Sequence, residues 1–380
     1  MRSEVFNNSI GSPYEFNYPV LTKEEDRQIL AGLFEQLLIF DKIMISTNRL
    51  NFALFFLINR LGINTTERLF ENGYINLMIW TPVIITGGGR QCEDGSIDES
   101  VIYSQPPISA GSLASKDIDP EENIAKALSH FNINRDRRRI FSRQISKNYV
   151  IPNGMEFSTD SAKFIIDAYQ NNNFATIGLP YEKEPNELEL AERHKLLNLG
   201  HKVLETAILS KYNLKSYGNY EHYEIFKQNL NQIGKAYNVS ENTSQILKLE
   251  NLPNLKALYL NDKLNFDDVF TLRHLSNAKF YRHWINNIGE NSDAKEITKE
   301  YLNEIKGSTK YFDTNGGKLL RTLGIFGMST TLGAVIGGPI GAAAGLGLSL
   351  FDTFLLENIL KGRNPSMFID AIRQQIEREE

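Results

Sequence analysis

The pattern of apolar and polar positions predicts a small α/β unit over residues 1–118. Thr22 and Glu25 have the spacing of a helix capping box, and apolar residues then follow at helical intervals. The run IFDKIMIS predicts a strand, the stretch 51–61 predicts a helix that ends at Gly62, and YINLMIWTPVIIT predicts a strand interrupted by its proline. A strand, two helical segments and a strand therefore follow one another.

Two parts of this unit lack such spacing. Residues 1–20 mix Asn, Ser, Pro, Gly and Tyr without a period, and they predict an extended arm. Residues 87–118 are rich in Gly, Ser and Pro, and they predict a long loop or an irregular hairpin.

Residues 119–315 predict a helical body. Asp119 precedes Pro120, which is the arrangement of an N-cap followed by proline at the first helical position. Further helices are predicted near residues 121–131, 135–147, 159–171, 186–213, 218–237, 242–250, 266–288 and 292–306. The predicted fold class is therefore α+β and predominantly α, and residues 316–380 form a third, C-terminal part.

An uncharged apolar stretch of thirty residues dominates this third part and lies between Arg321 and Asp352. A continuous helix of that length would measure about 45 Å, against about 30 Å for the hydrocarbon core of a bilayer. Pro339 divides the stretch into two shorter arms, because proline removes a backbone donor and clashes with the preceding turn. The sequence predicts a membrane-capable helix or hairpin, with a hairpin buried inside a soluble protein as the alternative.

Glycines repeat at four-residue spacing in this stretch, at Gly333, Gly337, Gly341 and Gly345. On a helix they form a flat stripe that lets backbones approach closely, as small residues do where membrane helices pack. Glycine costs about 1 kcal/mol relative to alanine in a water-exposed helix. These four positions and Pro339 are therefore the predicted membrane and oligomerisation residues, and they suit conditional insertion better than permanent anchorage.

Basic residues flank the stretch on both sides. Lys318 and Arg321 precede it, and Lys361 and Arg363 follow it. Cations at such positions favour contact with lipid headgroups. If both ends stay on the cytoplasmic side, a hairpin is favoured over a single span.

The densest basic cluster lies in the helical body. Arg135, Arg139, Arg143 and Lys147 share one face of a predicted helix at i, i+4 spacing. This face could bind the phosphates of a nucleotide, a nucleic acid or a lipid. The alternatives are a solvated charged face and a dock for an acidic partner.

Composition narrows the possible partners. The net charge of −5 gives no overall attraction to nucleic acid or anionic lipid, so any such contact requires a local patch. The single cysteine, Cys92, excludes an intramolecular disulfide and a cluster of cysteine metal ligands. The first twenty residues lack the run of about 7–15 apolar residues found in signal peptides, so we expect synthesis into the cytoplasm.

Enzymatic chemistry has little support in the sequence. His194 and His201 lie seven residues apart on a predicted helix, with Glu187 and Glu205 near the same face. Zinc needs three or more ligands at one point, and residues spread over about five turns of a straight helix cannot all converge there. Cys92 has no evident histidine partner, and neither a serine nucleophile elbow nor a HExxH motif occurs. We therefore expect no catalytic residues, no metal and no cofactor, and a hydrolase or nuclease is the weakest hypothesis.

A soluble-looking body followed by a glycine-zipper segment resembles the membrane-acting effectors of bacterial antiviral systems, some coupled to prokaryotic Argonautes and others to nucleotide-signalling sensors. The resemblance covers about the last sixty residues, through Gly333, Gly337, Gly341 and Gly345. It implies disruption of the host inner membrane on infection.

This resemblance and the apolar stretch together predict a triggered membrane-inserting or pore-forming effector. We expect it to be cytoplasmic at rest and in the inner membrane when active. Its expected partners are inner-membrane lipid, a sensor protein of the defence system and further copies of itself, with nucleic acid only through a partner. The main alternative is a soluble interaction module of a larger complex.

Overall fold

The computed structural model describes residues 4–10, 21–86, 89–91, 97–102, 107–175, 178–219, 244–249, 254–287, 321–326, 368, 371–372 and 374–376. The strands are β1 (Glu4–Asn7), β2 (Lys42–Thr47), β3 (Ile75–Ile79), β4 (Pro82–Thr86), β5 (Gly89–Gln91), β6 (Ile97–Ile102), β7 (Ile108–Ser112), β8 (Tyr149–Val150), β9 (Lys215–Asn219), β10 (Ser244–Leu249) and β11 (Arg321–Phe326). The helices are α1 (Lys23–Ile39), α2 (Phe52–Glu71), α3 (Pro120–Leu128), α4 (Arg135–Ser146), α5 (Gly154–Gln170), α6 (Leu190–Lys211), α7 (Leu255–Leu260), α8 (Phe266–His274) and α9 (Ser276–Asn287).

Local sequence signals explain where several helices begin and bend. The Thr22 hydroxyl accepts from the backbone N–H of Glu25, and the Glu25 carboxylate accepts from the backbone N–H of Thr22, which confirms the predicted capping box. Asp119 caps α3 as predicted. Gly62 has non-helical dihedral angles (φ 77°, ψ 161°), so the first helical segment of α2 ends there as predicted, and a second segment follows the kink and continues to Glu71.

A seven-stranded sheet forms the centre of the fold, in the order β10-β11-β9-β1-β2-β3-β8. The five strands from β9 to β8 are parallel, whereas β11 runs antiparallel to both β9 and β10. The β4–β7 and β5–β6 pairs form two separate antiparallel ribbons. The expected combination of an N-terminal α/β unit with a largely helical remainder is confirmed.

Helices cover both faces of this sheet, as the alternation of strand side chains requires. Val5, Ile43 and Leu77 point into a core shared with α1–α4 and α7–α9. Phe6 and Met44 point into a second core shared with α5 and α6. The body is therefore a sheet wound on both sides, and its strands come from all three predicted parts of the chain.

Three predictions are corrected by these strands. Part of the expected extended arm, β1, is instead a central buried strand, because its partners β2 and β9 supply the burial that Val5 and Phe6 alone do not signal. The predictions of helices at 218–237 and 242–250 are wrong for the residues that the structure describes: residues 218–219 belong to β9, and residues 244–249 form β10. Their pairing with β11 outweighs local helical spacing.

Candidate functional site

The order of the parallel strands reverses at β1. From β1 the chain proceeds outward through β2 and β3 to β8, and then returns through α5 and α6 to β9 on the other side of β1. The connecting helix α1 packs on one face of the sheet, whereas α5 and α6 pack on the other. In open parallel α/β sheets, ligands bind beyond the carboxyl ends of the strands at such a reversal. The candidate site is therefore this edge.

A carboxamide network closes the end of β1. Asn7 is 2% exposed, and its side-chain N–H donates to Gln36 Oε1 at 2.7 Å. Asn7 Oδ1 in turn accepts from the backbone N–H of Ser9 at 3.0 Å and from its hydroxyl at 2.8 Å. Asn8, which follows, is exposed, and its side-chain N–H lies 3.3 Å from Glu205 Oε1 on α6. Residues from opposite sides of the reversal therefore meet here.

Glu205 contributes an acidic group to this edge. The Glu205 side chain is 14% exposed, and Lys202 Nζ lies 3.7 Å from Glu205 Oε2. Burial raises the pKa of the Glu205 carboxyl, and the charge of Lys202 opposes that change only in part. A partly buried carboxyl beside an exposed amide can accept hydrogen bonds from the hydroxyl or amino groups of a small ligand.

A second polar group lies where β2 ends. Asn51 is fully buried with φ 51°, and its side-chain amide donates to the Tyr149 hydroxyl on β8. Asn48 Oδ1 accepts from the backbone N–H of Leu50 at 3.0 Å, and Asn51 Oδ1 accepts from that of Leu54 at 3.4 Å. Asn51 is therefore the N-cap of α2, and Asn48 closes the turn that precedes it. Burial raises the pKa of the Tyr149 hydroxyl, which keeps it protonated.

The chemistry of this edge is that of hydrogen bonding. The side chains described here are amides, hydroxyls and the Glu205 carboxyl, which suit recognition of a small polar molecule. Within the described residues, no group of three or more histidine, cysteine or acidic side chains is arranged to hold a metal ion. His194 is exposed on α6, whereas His201 Nε2 lies 3.0 Å from the carbonyl oxygen of Ile84, and burial lowers the pKa of this imidazole.

The predicted site residues lie elsewhere, and the structure describes four of them. Arg135, Arg139 and Arg143 lie on α4 and are exposed. Arg321 is the first residue of β11. The remaining predicted residues lie outside the described part of the chain: Lys318, Gly333, Gly337, Pro339, Gly341 and Gly345.

The predicted start of the apolar stretch needs correction. Residues 322–326 are not helical, because they continue β11 between β9 and β10 in the central sheet. The uncharged sequence that remains for a helix or hairpin is 327–351, which is twenty-five residues. In the described parts of the chain, no helix combines the length and the apolar character that a membrane crossing requires.

The C-terminal tail also joins the folded body. Phe368, Ile372 and Ile376 are buried in the core that α8 and α9 share with the sheet. The side-chain N–H of Gln375 donates to Asp268 Oδ1 on α8 at 3.0 Å. Both neighbours of the segment 327–367, β11 before it and the tail after it, are therefore fixed on the same body.

Comparison with known proteins gives no relative: no family model, no curated protein and no solved structure matches this chain.

The polar groups at the ends of β1 and β2 were not predicted from the sequence. A usable local signal was the asparagines at the ends of two buried strands: Asn7 is the last residue of β1 and Asn8 follows it, and Asn48 and Asn51 follow β2. Glu205 has no such signal, since it is 197 positions from Asn8.

Proposed function

We propose that this chain is a triggered membrane effector in which residues 327–351 insert into the inner membrane. The observation that carries the proposal is the position of this segment. It is uncharged, it contains the repeat Gly333, Gly337, Gly341 and Gly345, and it lies between β11 and a tail that are both part of the folded body. The chain would be cytoplasmic at rest and assemble with further copies in the membrane.

Attachment at both ends favours a re-entrant hairpin over a single span. A segment that leaves and rejoins one body has both ends on one side of a bilayer. Pro339 divides residues 327–351 into two arms of twelve residues, and each arm would reach about 18 Å as a helix. That is about three fifths of a hydrocarbon core about 30 Å thick, so neither arm would cross it alone. Close packing along the glycines of several copies would then be needed to form a pore.

The trigger in this proposal is a small polar ligand or a sensor protein that acts on the folded body. The strand reversal beside β1 offers a place for such a ligand, with Asn8 and Glu205 from its two sides. A signal there would reach the segment through β9, which pairs with both β1 and β11. The implied setting is antiviral defence, with lipid as the direct target.

Dye leakage from vesicles tests the proposal. The purified full chain is added to vesicles of bacterial lipid composition, and the double substitution Gly337→Leu and Gly341→Leu is compared with Val335→Leu and Ile336→Leu. The first pair fills the stripe, whereas the second changes apolar residues outside it. We expect leakage to be lost only in the glycine variant. Equal leakage in both variants would show that the stripe has no role.

A soluble interaction module is the second candidate function. The observation in its favour is that both flanks of the segment are ordinary core elements, since β11 lies inside the sheet and Phe368 lies inside the core. A Gly/Ala-rich hairpin could then complete a protein core within a larger complex. Carbonate extraction of cells under activating conditions separates the two candidates, because an inserted chain stays with the membrane pellet and a soluble module does not.

A further inference from the structure

One side of α4 and its C-cap residue carries four exposed cations, Arg135, Arg139, Arg143 and Lys147, here called the basic face. Residues four apart on a helix are neighbours, about 6 Å from one another, so the row extends about 18 Å along the helix. The opposite side of α4 is fixed, because Phe141 and Ile145 are fully buried in the core. The basic face therefore has a defined orientation away from the sheet.

Two acidic residues of α2 form hydrogen bonds with the inner side of α4. Arg137 Nε donates to Glu67 Oε1 on α2 at 3.0 Å, and Gln144 donates to Glu71 Oε1 at 2.9 Å. Within the described part of the chain, no member of the basic face forms an ion pair. Asp136 is the single carboxylate in the exposed arc of α4, so this surface has a net charge of +3.

An apolar side chain lies beside these cations. Ile140 is 60% exposed, which is the highest exposure of any large hydrophobic side chain in the described part of the chain. It follows Arg139 directly and shares the exposed arc with Lys147. Like charges in a row repel one another, and an exposed isoleucine gains nothing from water. Both features are offset when the surface contacts an anionic layer with an apolar interior.

We propose that the basic face and Ile140 form the surface by which the folded body docks on anionic lipid headgroups. This inference rests on the proposed membrane function, and it names the face that approaches the bilayer. Charge complementarity supports it, since the whole chain carries −5 and this surface is a local exception. Ile140 favours lipid over nucleic acid, because an aliphatic side chain inserts between headgroups but finds no counterpart on a phosphate backbone.

Vesicle co-sedimentation of the full chain tests this surface. The double variant Arg139→Gln and Arg143→Gln is compared with Lys163→Gln and Lys195→Gln, which removes two exposed cations from α5 and α6 on the other face of the sheet. Both variants lose the same charge and keep good helix formers. Vesicles contain phosphatidylcholine alone or a mixture with phosphatidylglycerol, and unchanged thermal melting confirms that both variants fold.

We expect the α4 variant to bind phosphatidylglycerol vesicles roughly 30-fold more weakly than the wild type, because each cation near an anionic surface contributes about a fivefold factor. The α5–α6 variant should bind like the wild type, and Ile140→Ser should weaken binding without changing its salt dependence. Binding of the α4 variant to a DNA duplex is measured in parallel. Equal loss of vesicle binding in both double variants would overturn the assignment, and so would an α4 variant that loses DNA binding but keeps vesicle binding. Leakage tested with the glycine variant can fail independently, since docking does not require insertion.

Discussion

The ring of Phe368 lies 4.9 Å from the ring of Tyr281, measured between centroids, and this contact joins the C-terminal tail to α9. Phe368 is fully buried, and Tyr281 is buried beside it. The tail is therefore a part of the core, although in sequence it follows the uncharged segment. In the proposed function, insertion of residues 327–351 would therefore either break this contact or leave it in place.

Removing the anchor should destabilise the body and release the tail. We expect Phe368→Ala to lower the free energy of unfolding by about 3–5 kcal/mol, as truncation of a buried phenylalanine does. If the tail also restrains the segment, the variant should cause more vesicle leakage than the wild type. Gln374→Ala is the matched control, because Gln374 is exposed on the same helical turns. Loss of stability without any gain in leakage would separate the anchor from the membrane function.

The sequence predicts the elements whose signals are local. The unit β2-α2-β3, the capping box at Thr22 and the proline-led start of α3 are all confirmed, because each depends on residues within a few positions of one another. The strands β1, β8 and β9 were not predicted. They are two to five residues long, and they are strands because neighbours far along the chain pair with them.

The candidate site was harder to predict for the same reason. A strand reversal is a property of the whole sheet order, and no local pattern reports that β9 returns beside β1. The contact between Asn8 and Glu205 joins a strand end to the side of a helix that comes nearly two hundred residues later. By contrast, the row of arginines on α4 follows directly from helical spacing.

Close packing at the start of α5 gives a second prediction. A Cβ atom added to Gly154 would lie 2.5 Å from Ser112 Oγ and 2.6 Å from Thr81 Oγ1, and the backbone of Thr81 is almost as near. We therefore expect Gly154→Ala to cost about 1–3 kcal/mol, the range for overpacking. In Gly32→Ala, the new Cβ would lie 3.7 Å from the Lys256 side chain, so this variant should be stabilised by up to about 1 kcal/mol. Urea denaturation measures both, and a stabilised Gly154→Ala variant would contradict the packing.

The attachment of α8 to the sheet layer gives a third prediction. Arg273 donates to the carbonyl oxygens of Phe40 and Asp41, both at 2.8 Å, and its guanidinium lies 3.9 Å from the ring centroid of Tyr74. Burial, with a smaller effect of Arg282, lowers the pKa of Arg273 to about 10. Lysine cannot reproduce the two-pronged donation. Arg273→Lys should therefore lose about 2–3 kcal/mol of unfolding free energy.

Arg68 supplies the control for this substitution. It also lies over an aromatic ring, 3.8 Å from the centroid of Phe270, but it is half-exposed and pairs with the exposed Asp267. Exposed pairs of this kind contribute at most about 1 kcal/mol. Arg68→Lys should therefore change stability by less than about 1 kcal/mol. Equal losses in the two variants would show that the carbonyl contacts of Arg273 contribute little.

Glu205 makes the stability of the body depend on pH. Burial raises the pKa of its carboxyl in the folded chain above that in the unfolded chain. Between those two pKa values the unfolded state releases the proton first, so the contribution of Glu205 to stability falls as pH rises. Glu205→Gln removes this ionisation and keeps an oxygen that can accept from Asn8. We therefore expect the variant to be more stable than the wild type at pH 7.5, and the difference to shrink towards pH 4. Denaturant unfolding at both pH values measures it, and a variant that loses stability at pH 7.5 would show that the charge of Glu205, through Lys202, is needed to hold this edge together.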